Sequence, residues 1–193
     1  MRARAFTTSG AAAFLALLTL TTTALAEARN WIIDQNGSTL GVRYIVDDKE
    51  QNGKFEEFSG TATFDPNALE GADLTFDVVT ESVDVGDPFG TTFVKSVDWF
   101  DVEAYPKATY VLDRLELIEG DLYRAYGTLT LRGATHPVEG EMTVTITDTE
   151  ARAVGETTFD RTEFKVGIGF SALFVEIGPK VKVLFDLTAR PAP

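Results

Sequence analysis

The sequence predicts an all-β fold, an antiparallel barrel of eight strands with a short helical insertion. Three observations predict it. Apolar residues recur at every second position over most of the chain, turn signals separate these runs, and one internal stretch, 86–107, lacks the alternation. A period of two belongs to strands, because successive side chains of a strand point to opposite faces of the sheet.

In chain order, Leu40, Val42, Tyr44 and Val46 mark a strand over 38–47, and a second follows over 54–64 after Asn52-Gly53, read as a turn. Asp65-Pro66-Asn67 ends it, and Leu74, Phe76 and Val78 mark the third, over 73–84. Strands over 108–118 and 121–132 flank Glu119-Gly120-Asp121, a short hairpin loop. Met142, Val144 and Ile146 alternate with threonines in 138–147, and a further strand spans 151–161. Ile177-Gly178-Pro179 precedes the last strand, 180–190, where Val181, Val183, Phe185 and Leu187 share one face. The tail Arg190-Pro191-Ala192-Pro193 is expected to fray. Closing such strands into a barrel removes exposed edges. A two-sheet sandwich satisfies the same pattern.

The interrupting stretch is rich in aromatics: Phe89, Phe93, Trp99, Phe100 and Tyr105. Asp87-Pro88 fits a helix N-cap followed by a first-turn proline, and Ser96 fits the cap of a second short turn. Long ordered connections in compact domains are often lids or binding loops. The aromatics are expected either to plug one end of the barrel or to close over a ligand, with Phe93, Trp99 and Phe100 against it. Phe76, Phe159 and Phe185 are expected to point inward from different strands.

The first 26 residues read as a secretory signal peptide. Arg2 and Arg4 precede the apolar run Ala11–Leu18, and Ala24-Leu25-Ala26 offers a cleavage site. The apolar run falls short of the roughly 20 residues that span a bilayer. Cleavage would leave residues 27–193 as one domain beginning at Glu27, and loss of the two arginines would take the net charge from −13 to −15. A surface that acidic repels nucleic-acid phosphates and anionic headgroups. No cysteine is present, so an exported chain must be stabilised by its core alone, without disulfides or thiolate metal sites. With no second long apolar segment, the mature protein is expected to be soluble.

Catalytic chemistry is sparse. His136, the only histidine, lies in Gly133-Ala134-Thr135-His136-Pro137, a composition expected to form a solvated loop. One histidine without cysteine cannot supply the usual zinc or copper ligand sets, and no G-x-S-x-G elbow accompanies it. No enzyme activity, metal site or cofactor is expected. Residues of this kind can line a pocket for an alkyl or isoprenoid chain, since small eight-stranded barrels can hold one ligand. They can equally fill a solid core.

Several segments, in order, resemble the YceI-like family of exported bacterial lipid-binding proteins. They are Trp31-Ile32-Ile33-Asp34 with Ser38; Gly53 to Gly60, then Phe64-Asp65-Pro66; Asp98-Trp99-Phe100-Asp101 with Tyr105-Pro106; Gly127 to Gly133 with Pro137-Val138; and Asp160 to Phe164 with Gly167. The resemblance implies a lipocalin-like barrel, periplasmic or secreted, that binds a polyisoprenoid, quinone-like or other long-chain lipid, in some members as a homodimer. In some relatives a Trp-Phe-Asp segment accompanies a membrane cytochrome, which implies a quinone ligand; the alternatives are an interaction or structural barrel with a solid core partnering a membrane redox protein, and an enzyme using His136 or a carboxylate at the pocket mouth. Gly37 stands where a histidine is common in the family, and Gly86 to Gly90 replaces a common Arg-Asp pair. No residue is therefore assigned to a ligand headgroup.

Overall fold

A computed structural model describes residues 29–193. The expected signal peptide, 1–26, lies outside the described residues.

Eleven strands form one sheet: β1 (Arg29–Ile33), β2 (Thr39–Val46), β3 (Lys49–Phe55), β4 (Phe58–Phe64), β5 (Asp73–Val79), β6 (Val83–Asp84), β7 (Lys107–Glu119), β8 (Leu122–Leu131), β9 (Ala134–Ile146), β10 (Ala151–Asp160) and β11 (Lys180–Pro191). Three pairs are single arms with an interruption. A 3-10 turn at Gln35–Gly37 separates β1 from β2, Glu56-Glu57 separates β3 from β4, and a 3-10 turn at Thr80–Ser82 separates β5 from β6. With these joined, eight arms run up and down in sequence order. The ring closes where β1 pairs with β11, Trp31 opposite Pro191 and Ile33 opposite Ala189. The tail is therefore not frayed. Pro191 lies inside β11, Arg190 pairs with Asp34 at 2.5 Å, and the Ala192 amide donates to Asn30. Pairing with β1 supplies the partners that a free terminus would lack.

The expected strands recur as these arms, with one turn misplaced. Asn52 and Gly53 lie within β3, opposite Arg43 and Val42. The chain reverses at Asp47-Asp48, both with positive φ (46° and 61°), as a two-residue hairpin turn requires. The β8–β9 reversal repeats the device at Arg132-Gly133, with φ of 50° and 71°. His136 therefore belongs to β9 and not to a solvated loop. It is half-buried, its ring edge-on to Phe164 at 5.1 Å.

A register shift in β7 between Leu112 and Arg114 changes the phase of alternation. Leu112 and Leu115 both turn inward as a result, at 8% and 7% exposure.

One end of the barrel carries long connections. There α1 (Pro88–Lys95) begins at Asp87, whose carboxylate accepts from the Gly90 amide at 2.5 Å, with Pro88 in the first turn as expected. Ser96 ends α1 rather than capping the next turn: its hydroxyl donates to the Phe93 carbonyl at 2.7 Å. Its carbonyl receives the Trp99 and Asp101 amides. Fully buried Thr80 ties this connection to the barrel, donating from its hydroxyl to Tyr105 and from its amide to Pro106.

Candidate functional site

The inward faces of the arms enclose a cavity of about 320 Å³, the lower end of the range for small-molecule sites. Its wall is almost wholly apolar. Leu40 and Val42 of β2, Leu74 and Phe76 of β5, Leu129 and Leu131 of β8, and Val181, Val183, Phe185 and Leu187 of β11 line it, in the alternation read from the sequence. The space exists because other inward positions are small: Ala62, Ala72, Ala108, Ala125, Ala151, Ala153 and Ala189 also line it. Gly140 and Gly155 let β9 and β10 approach closely, since a Cβ at Gly140 would stand 2.7 Å from the Glu156 carbonyl.

Of the aromatics singled out from the sequence, Phe76, Trp99, Phe100, Phe159 and Phe185 line the cavity. Phe93 does not; it packs one layer out, against Trp99 at 5.4 Å between ring centres. A helix of two turns over the mouth presents one face inward, and that face is taken by Val94, which does line the cavity.

Trp99 is 3% exposed and caps the lumen within a cluster of Leu131, Phe164 and Val166. Gly167, at φ 67°, lies against the indole, and a Cβ there would overlap it. Arg161 holds the surrounding loops. Its guanidinium donates to the carbonyls of Val166 (2.6 Å), Gly167 (2.9 Å), Ile177 (2.6 Å) and Gly178 (3.0 Å), and lies 5.4 Å from the centre of the Trp99 ring. Burial pushes its pKa down while Asp160 opposes the shift. Reading the sequence placed Arg161 only within a family-like segment, because backbone acceptors leave no trace in residue types.

Tyr110 was also missed. Its ring lies on Gly127 across the β7–β8 pair, where a Cβ would overlap it, and its side chain faces the lumen. Burial, then Asp113, pushes its phenol up to about 12. Tyr110 stands opposite Leu129 and reaches Gly127 diagonally, a contact that depends on the register of the pair and is not marked by local alternation. In a phenolate absorbance titration Tyr110 should ionise near pH 12, and Tyr110→Phe should remove that step. Between the ordinary 10.0 and about 12 only the unfolded chain loses this proton. Stability is therefore unaffected below pH 10 and falls by up to about 2–3 kcal/mol as pH rises to 12, the cost of ionising a phenol in an apolar, acid-flanked site. A normal titration at every one of the five tyrosines would show the phenol to be solvated.

His136 stands behind Phe164, and among the described residues no group of three or more His, Asp or Glu side chains is arranged to hold a metal. No helix of the described residues is long and apolar enough to cross a membrane.

A closed up-and-down barrel with a capped apolar lumen defines the class, a lipocalin-like barrel. The sequence model of the YceI-like domain matches residues 31–189, and the chain belongs to that family. It is 30% identical over 122 residues to Protein YceI of Salmonella newport (strain SL254), covering 62% of this chain and 63% of that protein. The chain thus matches under two thirds of the length of such curated relatives. Among solved structures, Burkholderia cenocepacia BcnA is similar at a TM-score of 0.76 and 26% identity, covering 81% of this chain and 98% of that one. A polyisoprenoid binding domain from Saccharophagus degradans, implicated in plant cell wall breakdown, has the same fold at a TM-score of 0.68 and 16% identity. That likeness covers 84% of this chain and 98% of that one.

Proposed function

We propose that the protein is an exported carrier or sequestering protein that holds one long apolar lipid inside the barrel, a polyisoprenoid, quinone-like or fatty-acid-like chain. The observation that carries this reading is the lumen, a cavity of about 320 Å³ walled by aliphatic and aromatic side chains. Such a wall is apolar along nearly all of its surface, so it selects for length of chain. Each buried CH₂ contributes roughly 0.8 kcal/mol, and a ten-carbon chain about 8 kcal/mol before ordering costs. The Tyr110 phenol, protonated at neutral pH, can donate to a ligand oxygen within the lumen. Trp99 and Phe100 cover the chain at the mouth, and Phe76, Phe159 and Phe185 contact it along the wall. The polyisoprenoid binding domain of Saccharophagus degradans supports the ligand class through its shared fold. The basic, apolar and small-residue order of 1–26 supports export to the periplasm or beyond.

Solvent extraction of protein purified from its native source, followed by mass spectrometry, should yield a long-chain lipid in near-stoichiometric amount. Intact mass of the exported protein should place its first residue at Glu27. Trp31→Phe leaves Trp99 as the sole tryptophan and forfeits no indole hydrogen bond, because the Trp31 N–H is buried without an acceptor. In that variant a long-chain isoprenoid should shift Trp99 emission, while a short polar analogue should not. Empty extracts together with unshifted emission would leave the lumen without a lipid role.

A further inference from the structure

The chain carries 30 acidic residues, yet two stretches at the mouth of the barrel, 88–94 and 166–175, contain no ionisable side chain. In these stretches large apolar side chains stand in solvent: Phe89 is 79% exposed, Phe170 72%, Leu173 77% and Phe174 73%. The stretches meet at Trp99, against which both Phe93 and Gly167 pack. Gly167 donates its amide to the Asp98 carbonyl, and the Arg132 guanidinium bridges the carbonyls of Val97 and Lys165. Phe89 stacks on Phe93, and Phe170 meets Phe174 edge-on at 5.3 Å. Asp98, between the stretches, is turned against the backbone at Gly169, and exposed Asp87 and Glu176 border the stretches at their outer ends. Exposed Lys165 precedes the second stretch, while Lys95, at the end of the first, is paired with Glu81 at 2.8 Å.

Four large apolar side chains this exposed at one end of the barrel call for a partner. We propose that the rim docks on the surface of a zwitterionic lipid bilayer and sets the mouth of the barrel on the membrane with which it exchanges its ligand. Charge argues for this occupant. A bilayer interface accepts apolar and aromatic side chains, admits flanking lysines whose ammonium groups reach the phosphates, and disfavours carboxylates. The centre of the rim has that composition, with Lys165 beside it and the carboxylates Asp87 and Glu176 only at its border, against an otherwise acidic surface. The net charge of −13 opposes both anionic membranes and close contact between two copies of the chain. The rim is also continuous with the cap at Trp99, so docking places the lumen's entrance where an apolar chain leaves the bilayer without crossing water. The proposal rests on the lipid-carrier reading.

The test uses the exported protein and phosphatidylcholine vesicles. The wild type should float with vesicles, and anionic lipid should weaken the association. The combined change Phe170→Asp, Leu173→Asp and Phe174→Asp, at exposed positions, should cut flotation about tenfold or more. It should slow uptake of a pyrene-labelled polyprenyl alcohol from vesicles by a similar factor, while affinity for the same probe delivered from cyclodextrin stays unchanged. Phe89→Asp serves as a second variant if the triple change fails to fold. A wild type that does not float, or variants that float equally well, overturns the docking surface. A wild-type dimer that the triple change converts to monomer, with flotation unaltered, overturns it in favour of an interface between copies. Failure to bind the probe from cyclodextrin overturns the lipid-carrier reading instead, whatever the flotation result.

Discussion

Arg161→Leu is expected to lower stability by about 3–5 kcal/mol, read as a drop in the urea midpoint. Four carbonyls, from Val166, Gly167, Ile177 and Gly178, would lose their donor at once. Buried acceptors left unpaired each carry a desolvation cost, and hydrogen bonds from a charged donor are among the stronger ones. Arg161 is only 9% exposed, so water cannot replace it without opening the loops. Arg161→Lys should recover only part of the loss, since an ammonium lacks the planar fork that reaches several acceptors. The same substitution should loosen Trp99, whose ring the guanidinium faces. A red-shifted Trp99 emission in the Trp31→Phe background would show this. A midpoint within experimental error of wild type would mean that the loops are held by the Phe164 cluster alone.

Phe185→Asp is expected to cost about 3–5 kcal/mol. Phe185 faces the lumen in a cluster with Leu40, Phe58 and Phe76. The substitution removes a large apolar contact and leaves a carboxylate within an apolar cluster that contains no basic side chain. The pH dependence checks the cause. A carboxyl buried in this wall has a raised pKa, so the variant should regain stability on acidification, when the neutral form predominates. Lipid affinity should fall as well. A variant as stable as wild type would mean that residue 185 reaches water.

These two side chains differ in how visible they were beforehand. The inward direction of Phe185 followed from Val181, Val183 and Leu187 at the same parity, and the structure places all four on the lumen wall. Arg161 sits just beyond the end of β10, where alternation stops. Its role depends on carbonyls that any sequence supplies. His136 shows the converse. The flanking glycine and proline suggested a loop, yet the tight turn needs only Arg132 and Gly133, so the histidine is already in the strand.

By itself the sequence determined the all-β class, the succession of arms, and the apolar face of those with unbroken alternation, such as 38–47 and 180–190. The pleat makes those properties local: a period of two and a turn residue suffice to read them. It also determined the acidic charge, the absence of thiol chemistry and the family-like segments. Tertiary structure alone decided that the barrel closes, because closure depends on β1 meeting β11 across the whole chain. It alone decided that the interior is hollow. Alanines at 62, 125 and 153 face the lumen along with Phe76 and Phe185. Whether such positions leave space or are filled from the opposite wall depends on barrel curvature and register, which no local pattern contains.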